Sequence, residues 1–297
     1  MKNKVSVVIP TLGGDCLEET IRILNSGTYL PDEILICIPN DYANKVSLIF
    51  FDNVRIIKTP FSGQVAQRAF GFKFVKNDLV LQLDDDIHLD RNCLKNLVEF
   101  ILEHPESSVG PKFLERSTLK YHSYLYKDTD KFSFLDKISF YILNGKIGYV
   151  AGQLSKAGVF MGVPEKPDIW LRMGWLPGGC VLHRKANLIL ENYYPIKGKA
   201  YWEDLFYSDI LKSNGITMHR VGTAVSTVDF SNNQYMNFLF FIKEFFKVLK
   251  VIKIYSKVSK TPSTRLIIFH FYNTLTLVLR YLSKKNKKYF RLSFNNI

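Results

Sequence analysis

At 297 residues, the chain is long enough for one large domain and an appendage. Its four cysteines are scattered, which excludes a disulfide framework or a clustered zinc site and favours a reducing compartment. The formal net charge of +13 is concentrated in residues 236–297, which hold 13 of the 40 Lys and Arg residues but one acidic residue, Glu244. The sequence begins directly with a predicted strand, so we expect no signal peptide.

Strands and helices alternate along the first hundred residues. The apolar run Lys4–Pro10 predicts a buried first strand. Asp15, with Glu18 three residues later, resembles a capping box for a helix over Leu17–Asn25. Further strands are predicted at Glu33–Ile38, Val54–Lys58 and Leu79–Leu83, and further helices at Gly63–Lys76 and Leu94–Glu103. This alternation implies parallel βαβ units and an α/β fold.

Three consecutive aspartates, Asp84–Asp86, close the strand Leu79–Leu83. Three carboxylates at the end of a buried strand are costly to desolvate unless a positive charge lies on them. Ligands of open α/β sheets bind at this end of the strands, and several oxygen ligands suit Mg²⁺ or Mn²⁺ shared with substrate phosphates. The pattern favours a metal–diphosphate site, and its alternative is a solvated turn that caps the next helix.

A second acidic pair, Glu203-Asp204, begins a predicted helix that ends near Gly215. The pair either takes part in chemistry or complements the helix dipole. Paired glycines, Gly178-Gly179, allow a ligand to approach the backbone closely. Trp175 and Trp202 either stack on a sugar or belong to the core. Residues 115–170 follow neither the helical nor the strand period.

Residues 231–297 predict a basic amphipathic tail. In a helix over Met236–Lys257, one face carries Lys243, Lys247, Lys250 and Lys257, and the other carries Phe241, Phe245, Val248, Ile252 and Tyr255. Such a helix lies in a membrane interface and favours anionic lipid. Thr261–Ser263 breaks it, and the uncharged Leu266–Leu279 that follows is shorter than the roughly 20 residues needed to span a bilayer. With Lys284–Lys288 at its end, the tail predicts a membrane-surface hairpin, the alternative being a tilted or re-entrant insertion.

In this order, the motifs resemble family two of the inverting glycosyltransferases, which have a GT-A fold. The resemblance spans residues 4–228 and rests on Val5–Thr11, Arg68, Asp84–Asp86, Leu176–Gly179 and Glu203-Asp204. It implies a GT-A catalytic domain over residues 1–230, with a donor half to about residue 112 and an acceptor half from residue 113. Residues 115–170 would then be the variable acceptor-side region.

The resemblance implies roles in donor binding. Pro10 and Thr11 would lie against the nucleoside, and Arg68 near the base or the diphosphate. Asp84 would contact the ribose side and share the metal, Mg²⁺ or Mn²⁺, with Asp86, and Asp85 would lie between them. The base-reading acids of the family are replaced by Ile38 and Pro39, so Asn40 or Asp41 would substitute. The histidine that completes the metal shell in many relatives is missing, and Asp229 is its candidate replacement.

The resemblance also implies roles in catalysis. Asp204 would be the base that takes the proton of the acceptor hydroxyl as this oxygen attacks the anomeric carbon. Glu203 would orient the acceptor or support the base. Trp175, Gly178, Gly179 and Trp202 would form the sugar or acceptor site.

We therefore expect an inverting glycosyltransferase that uses a nucleotide-diphosphate sugar, with UDP as the expected carrier. Its acceptor would be a lipid-linked or membrane-bound glycan in surface polysaccharide or lipopolysaccharide assembly, and the enzyme would lie peripherally on the cytoplasmic face of the inner membrane. One alternative, a sugar-1-phosphate nucleotidyltransferase, is disfavoured because Thr11–Asp15 lacks a basic residue. The other, a nucleic-acid-binding protein, is disfavoured because the aromatic residues of the tail share a continuous face with aliphatic ones.

Overall fold

The computed structural model describes residues 3–121, 126–165, 170–196, 200, 202–229, 235–236, 238–283 and 290–291. The chain forms two compact units. Unit 1 comprises Met1–His122 and Lys166–Asp229, and unit 2 comprises Ser123–Glu165 and Phe230–Ile297. Residues 123–165, assigned to the acceptor half of the catalytic domain by the sequence, therefore group with the tail.

Unit 1 is built on a mixed sheet of nine strands. These are β1 Val5–Pro10, β2 Glu33–Pro39, β3 Val54–Thr59, β4 Leu79–Leu83, β5 His88–Leu89, β6 Ser107–Glu115, β7 Leu171–Met173, β8 Cys180–Arg184 and β9 Thr217–Val228. The order is β3-β2-β1-β4-β8-β6-β9-β5, and β7 also pairs with β9. Because β1 and β4 are parallel, Thr11 and Asp84, which follow them, lie at the same edge of the sheet.

Seven α-helices are present in the described residues: α1 Leu17–Leu24, α2 Gln64–Phe72, α3 Cys93–Glu103, α4 Phe134–Asn144, α5 Glu203–Ser213, α6 Phe238–Val258 and α7 Ser263–Ser283. In unit 1, α2 packs against β1 and β2, and α3 packs against β6, β8 and β9. Val8, Leu35 and Val80 of the sheet form a core cluster with Phe72 of α2. This packing fixes the first turns of α2 beside the carboxyl ends of β1 and β4.

One local prediction in unit 1 is wrong. No side chain caps α1, whose N-cap residue is Cys16, so Asp15 and Glu18 do not form a capping box. The long strand β9 continues to Val228. It does so because β9 follows β6 along its whole length, across a bulge at Pro111/Lys112.

Unit 2 contains α4, α6 and α7. The helix α4 lies inside residues 115–170, where no helix was predicted, and begins with a capping box formed by Ser133 and Asp136. Gly145 ends it in the left-handed conformation, with φ of 72°. Two short strands, β10 Tyr235–Met236 and β11 Phe290–Arg291, pair antiparallel.

The two tail helices pack as core elements of unit 2. Arg265 of α7 donates from Nη1 to the carbonyl oxygen of Ile142 at 2.8 Å, and the Tyr272 hydroxyl donates to the carbonyl oxygen of Leu135 at 2.9 Å. An added Cβ on Gly158 would lie 3.1 Å from the ring of Tyr255, so α6 runs directly over this loop. The tail is therefore stabilised by residues 126–165.

This packing corrects the predicted lipid-facing side of α6. Val248, Ile252 and Tyr255 are buried within unit 2, at 2% exposure or less, so they are not available to a bilayer. The side chain of Phe241 and the segment Lys284–Lys288 lie outside the described residues. Among the residues that the structure describes, no helix is both long and apolar enough to cross a membrane.

Candidate active site

A cavity of about 700 Å³ lies at the carboxyl ends of β1 and β4. Its wall contains Pro10, Thr11 and all three residues of Asp84–Asp86, together with Gly63, Gln64 and Gln67 at the start of α2. The structure thus brings together the predicted donor residues that follow β1 and β4. Asn40 is exposed at the start of a 3₁₀ segment and is not part of this wall as described.

Arg68 is buried below the cavity and links two carboxylates. Its Nη2 donates to Asp84 Oδ1 at 3.0 Å, and its Nη1 donates to Glu203 Oε1 at 2.9 Å. Only 2% of the side chain is exposed. Burial alone would lower the pKa of Arg68, but the charges of Glu203 and Asp84 outweigh it and raise the pKa. Arg68 is therefore a structural bridge between the two carboxylates, and its predicted position near the base or the diphosphate stays a prediction.

Glu203 is held through both carboxylate oxygens. Oε1 accepts from Arg68, and Oε2 accepts from the hydroxyl of Tyr193, whose ring lies 5.5 Å from that of Tyr207. Burial, and then the negative charge of Glu203, raise the pKa of Tyr193. Only 5% of the surface of Glu203 is exposed. This burial fits the predicted supporting role beside Asp204, and it does not fit the alternative, a direct contact with the acceptor.

Asp204, the next residue, is only partly buried and holds a different set of contacts. Its Oδ1 accepts from the backbone N–H of Gly178 at 2.8 Å, whereas its second oxygen receives no hydrogen bond from any described residue. Burial, followed by the charge of Glu203, raises the pKa of Asp204 to about 8. A carboxylate fixed by one oxygen, with the other free and with a raised pKa, is suited to accept a proton.

The paired glycines make room for the acidic residues. A Cβ on Gly178 would lie 2.6 Å from Asp204 Oδ1 and 2.7 Å from Glu203 Oε1. A Cβ on Gly179 would lie 3.1 Å from Asp84 Oδ2. The two glycines thus let the backbone lie close to protein carboxylates. The sequence had predicted that they let the backbone lie close to a ligand.

The three aspartates of the cavity differ in their partners. Asp84 accepts from Arg68 and from Gln64 Nε2, the latter at 2.7 Å, and burial still raises its pKa to about 6. Asp85 accepts from the Thr11 hydroxyl. The carboxylate of Asp86 accepts from its own backbone N–H and from no side chain of a described residue, and burial, then the charge of Asp85, raise its pKa.

The sequence pattern of glycosyl transferase family 2 matches residues 6–157, which is more than half of the chain. The chain belongs to glycosyl transferase family 2. The members of this family are glycosyltransferases. No curated protein sequence matches it significantly.

Two solved structures resemble the fold of this glycosyltransferase. GalNAc-T7 with UDP, GalNAc and Mn²⁺ matches with a TM-score of 0.54 and 14% identity, covering 76% of this chain and 43% of that one. Residues 1–349 of S. aureus TarS match with a TM-score of 0.50 and 14% identity, covering 95% of this chain and 76% of that one. The chain thus spans less than half of the GalNAc-T7 structure, and the likeness supports the GT-A fold.

The cavity of the glycosyltransferase fits a divalent cation. The carboxylate of Asp86 and the Oδ2 atom of Asp84 accept no hydrogen bond from the side chain of a described residue, and burial raises the pKa of both groups. No group of three or more His, Cys, Asp or Glu converges on one point in the described part of the chain. A cation would therefore take two carboxylates here and further oxygens from the donor.

Asp229, the candidate third ligand, already has a partner. Arg116 donates from Nη1 to Asp229 Oδ2 at 3.0 Å and from Nη2 to the carbonyl oxygen of Asp86. Arg116 thus ties the end of β9 to the aspartate segment. The Oδ2 atom of Asp229 serves this ion pair, and ligation of the metal by Asp229 stays a prediction.

The tryptophans divide between core and site. Trp175 is 1% exposed and belongs to the core, so it does not stack on a sugar. Trp202 is partly buried and precedes α5 in the left-handed conformation, with φ of 61°. This turn presents Glu203 and Asp204 at the first positions of α5. A sugar contact for Trp202 stays a prediction.

Sequence reasoning missed four residues of the site: Gln64, Gln67, Arg116 and Tyr193. Gln67 Nε2 donates to the carbonyl oxygens of Thr11 and Cys37 at 2.8 and 2.7 Å, which joins the ends of β1 and β2. A signal for Gln64 was available, because it lies four residues before Arg68 and both reach Asp84 from one face of α2. Tyr193 and Arg116 carry no comparable signal, since only the tertiary fold brings them to the acidic residues.

Proposed function

We propose that this enzyme transfers a sugar, with inversion of the anomeric configuration, from a nucleotide-diphosphate sugar to a glycan acceptor. The proposed donor is a UDP-sugar. The observation that carries the proposal is the placement of Asp204. Asp204 is linked to the aspartate-lined cavity through its neighbour Glu203, because Arg68 pairs with both Glu203 and Asp84. One carboxylate oxygen of Asp204 accepts from no described residue. The two ion pairs of Arg68 therefore fix the position of the proposed proton acceptor relative to the proposed diphosphate pocket.

In this mechanism, Asp204 takes the proton of the acceptor hydroxyl while that oxygen attacks the anomeric carbon. The bond to the diphosphate breaks as the new glycosidic bond forms, so the configuration inverts and no covalent enzyme intermediate is needed. A divalent cation held by Asp86 and Asp84 would neutralise the departing diphosphate. Gly178 keeps Asp204 oriented through its backbone N–H, and the Thr11–Asp85 hydrogen bond shapes the nucleoside side of the cavity.

The choice of UDP and of Mg²⁺ or Mn²⁺ rests on two supports. The GalNAc-T7 structure, which shares the fold, contains UDP and Mn²⁺. The cavity presents oxygen ligands, which both cations prefer. The position that carries a base-reading acid in related sequences is Ile38, which is fully buried in β2, so the base contact is made by other groups.

For the acceptor we propose a lipid-linked or membrane-bound glycan, within bacterial surface polysaccharide or lipopolysaccharide assembly, on the cytoplasmic face of the inner membrane. The support is the charge distribution: 13 of 40 basic residues lie in residues 236–297 with a single acid. Such an excess attracts anionic lipid headgroups. We propose no nucleic-acid partner.

A donor panel tests the proposal. UDP-, dTDP- and GDP-sugars are titrated into the enzyme by calorimetry with Mg²⁺, with Mn²⁺ and with chelator, and the anomeric configuration of any product or hydrolysed sugar is read by NMR. We expect cation-dependent binding of a UDP-sugar and an inverted product. A retained configuration would contradict the single-displacement mechanism, and binding that is equally tight in chelator would contradict the metal site.

A further inference from the structure

The outward side of α6 carries a row of lysines. Within the described residues, all exposed positions of this helix and the loop after it except Val258 fall at intervals of three and four, so they form one stripe. Val258, which is 52% exposed, lies next to Lys257 in the chain. The stripe comprises Lys243, Phe246, Lys250, Lys253, Lys257 and Lys260. None of these five lysines forms an ion pair with a described residue. The described side chains of unit 2 therefore leave their charge unpaired.

The outward side of α7 carries a row of large apolar side chains. Ile268, Phe271 and Leu275 are 55%, 52% and 57% exposed, and their spacing of three and four places them on one face. Phe246 of α6 is 62% exposed. Single exposed apolar residues are ordinary, but four in one region mark an interaction surface.

The two rows meet along the seam of the α6–α7 hairpin. The ring of Phe245 lies 5.5 Å from that of Phe246 and 5.3 Å from that of Phe271, so Phe245 connects the exposed aromatic residues of both helices. It also stacks on His270 at 4.5 Å, which anchors the seam to the buried side of α7. We call the lysine stripe and the apolar row together the hairpin outer surface.

We propose that the hairpin outer surface binds the interface of an anionic phospholipid bilayer. Lysines beside aliphatic and aromatic side chains match the two layers of such an interface, since the ammonium groups meet anionic headgroups while the apolar row enters the acyl boundary. Lys243, Lys250 and Lys257 of this surface belong to the lysine face predicted from the sequence. Its apolar part differs from the predicted one, because Val248, Ile252 and Tyr255 are buried in unit 2. The proposal deepens the membrane-bound acceptor proposed above by naming the surface that reaches the membrane.

Two other occupants fit the observations less well. Protein interfaces are depleted of lysine, whereas lysine is the most frequent residue of this surface. Single-stranded nucleic acid stacks its bases on aromatic platforms, but Ile268 and Leu275 are aliphatic. The charge complementarity and the mixed apolar row together favour lipid.

Vesicle flotation of the full-length enzyme tests the proposal. Vesicles of phosphatidylcholine alone are compared with vesicles that also contain phosphatidylglycerol, and we expect binding to the second kind only. Replacing Lys250, Lys253 and Lys257 by Gln should weaken binding roughly a hundredfold, because each lysine near an anionic surface contributes a factor of about five. Replacing Phe271 and Leu275 by Ser should also weaken it, by removing the apolar anchor.

Matched variants in unit 1 serve as controls. Lys73, Lys76 and Lys212 are exposed, so their joint replacement by Gln removes the same charge elsewhere. Leu48 and Phe50 are 84% and 79% exposed, so replacing them by Ser removes similar apolar side chains. Both controls should bind phosphatidylglycerol vesicles as the parent enzyme does.

Three results would overturn the proposal: no preference for phosphatidylglycerol vesicles, equal losses in the control variants, or vesicle binding that survives the lysine variant while binding of single-stranded RNA is lost. Dimerisation in solution that Phe271→Ser/Leu275→Ser abolishes, without vesicle binding, would also overturn it in favour of a protein interface. Donor binding is measured in parallel, and it should be unchanged in every variant. Loss of the membrane proposal is thereby distinguishable from loss of the glycosyltransferase proposal, which fails only if no nucleotide sugar binds.

Discussion

The two adjacent acids of the site, Glu203 and Asp204, have opposite roles because their surroundings differ. Glu203 is buried, and both of its carboxylate oxygens accept hydrogen bonds, from Arg68 and Tyr193. Asp204 has one carboxylate oxygen that accepts from no described residue. We predict that Asp204→Asn lowers turnover by about two to four orders of magnitude, since the amide cannot accept the acceptor proton. Donor affinity, measured by calorimetry, should change little. A loss of donor affinity with normal turnover at saturating donor would make Asp204 a donor ligand instead.

The raised pKa of Asp204 predicts the pH profile of the same reaction. Below its pKa, the carboxyl group is protonated and cannot act as a base, so kcat/KM should rise with pH, reach half of its maximum near pH 8 and level off above that. Glu203→Gln removes the nearest negative charge and should move this limb to lower pH. Profiles of both enzymes check the assignment, and a limb that stays in place in Glu203→Gln would argue that another group controls it.

Asp86 is the cavity aspartate whose carboxylate accepts no hydrogen bond from the side chain of a described residue. We predict that Asp86→Ala abolishes the dependence of donor binding on Mg²⁺ or Mn²⁺, because the diphosphate would lose the cation that neutralises it. Calorimetry with and without chelator measures this. Asp41→Ala, at an exposed carboxylate away from the cavity wall, is the control and should keep the dependence. Unaltered cation dependence in Asp86→Ala would move the metal to other residues.

Arg68 compensates two carboxylates at once. Arg68→Met should lower the free energy of unfolding by about 3–5 kcal/mol, because it leaves Asp84 and Glu203 without their buried partner. Urea unfolding at pH 8 and at pH 5 measures the loss, which should be smaller at pH 5, where protonation removes the unpaired charge. Arg22→Met removes the exposed pair with Glu18 and should cost at most about 1 kcal/mol. Equal losses in the two variants would contradict the buried-bridge role.

At the scale of elements, the loop between β7 and β8 positions the base on α5. A Cβ on Gly178 would lie 2.6 Å from Asp204 Oδ1, so Gly178→Ala must displace the loop or the carboxylate. We predict a fall in kcat of at least about tenfold, while donor affinity is kept. Gly215→Ala meets no atom within 4 Å and strains only its own backbone, at φ of +77°. It should therefore lower stability by about 1–2 kcal/mol without lowering kcat, and equal kcat losses in both variants would refute the prediction.

At the scale of the whole molecule, the donor cavity belongs to unit 1, whereas the tail helices complete unit 2. A chain that ends at Asp229 should still bind nucleotide sugar. It should also become sensitive to proteolysis between residues 126 and 165, because α4 loses α7, on which it packs, and the loop at Gly158 loses Tyr255 of α6. Limited proteolysis and calorimetry check both parts.

A point variant in the full-length chain provides the matched test. Tyr255 is fully buried and Phe246 is largely exposed on the same helix. Tyr255→Ala should lower stability by about 3 kcal/mol or more, whereas Phe246→Ala should change it little. Similar effects of the two would contradict the placement of α6 in the core of unit 2.

The local pattern by itself determined the parallel strands, the aspartates at the end of β4 and the acids at the start of α5. These depend on spacing within one element or on the turn after it, and a single sequence displays such spacing directly. The same local reasoning missed α4, although Ser133 and Asp136 carry a capping-box pattern, and placed such a box wrongly at Asp15 and Glu18.

Only the tertiary structure decided which charges meet. Arg68 and Glu203 are 135 residues apart, and no local pattern predicts that they form a buried ion pair. The sequence had placed Arg68 near the donor and did not predict its two carboxylate partners. The same holds for α6. Its two faces are evident from the sequence, but whether protein or solvent covers the apolar one depends on α4 and the loop at Gly158, which lie about 100 residues earlier in the chain. Amphipathic periodicity fixes which side chains share a face, while burial depends on what distant segment packs against it.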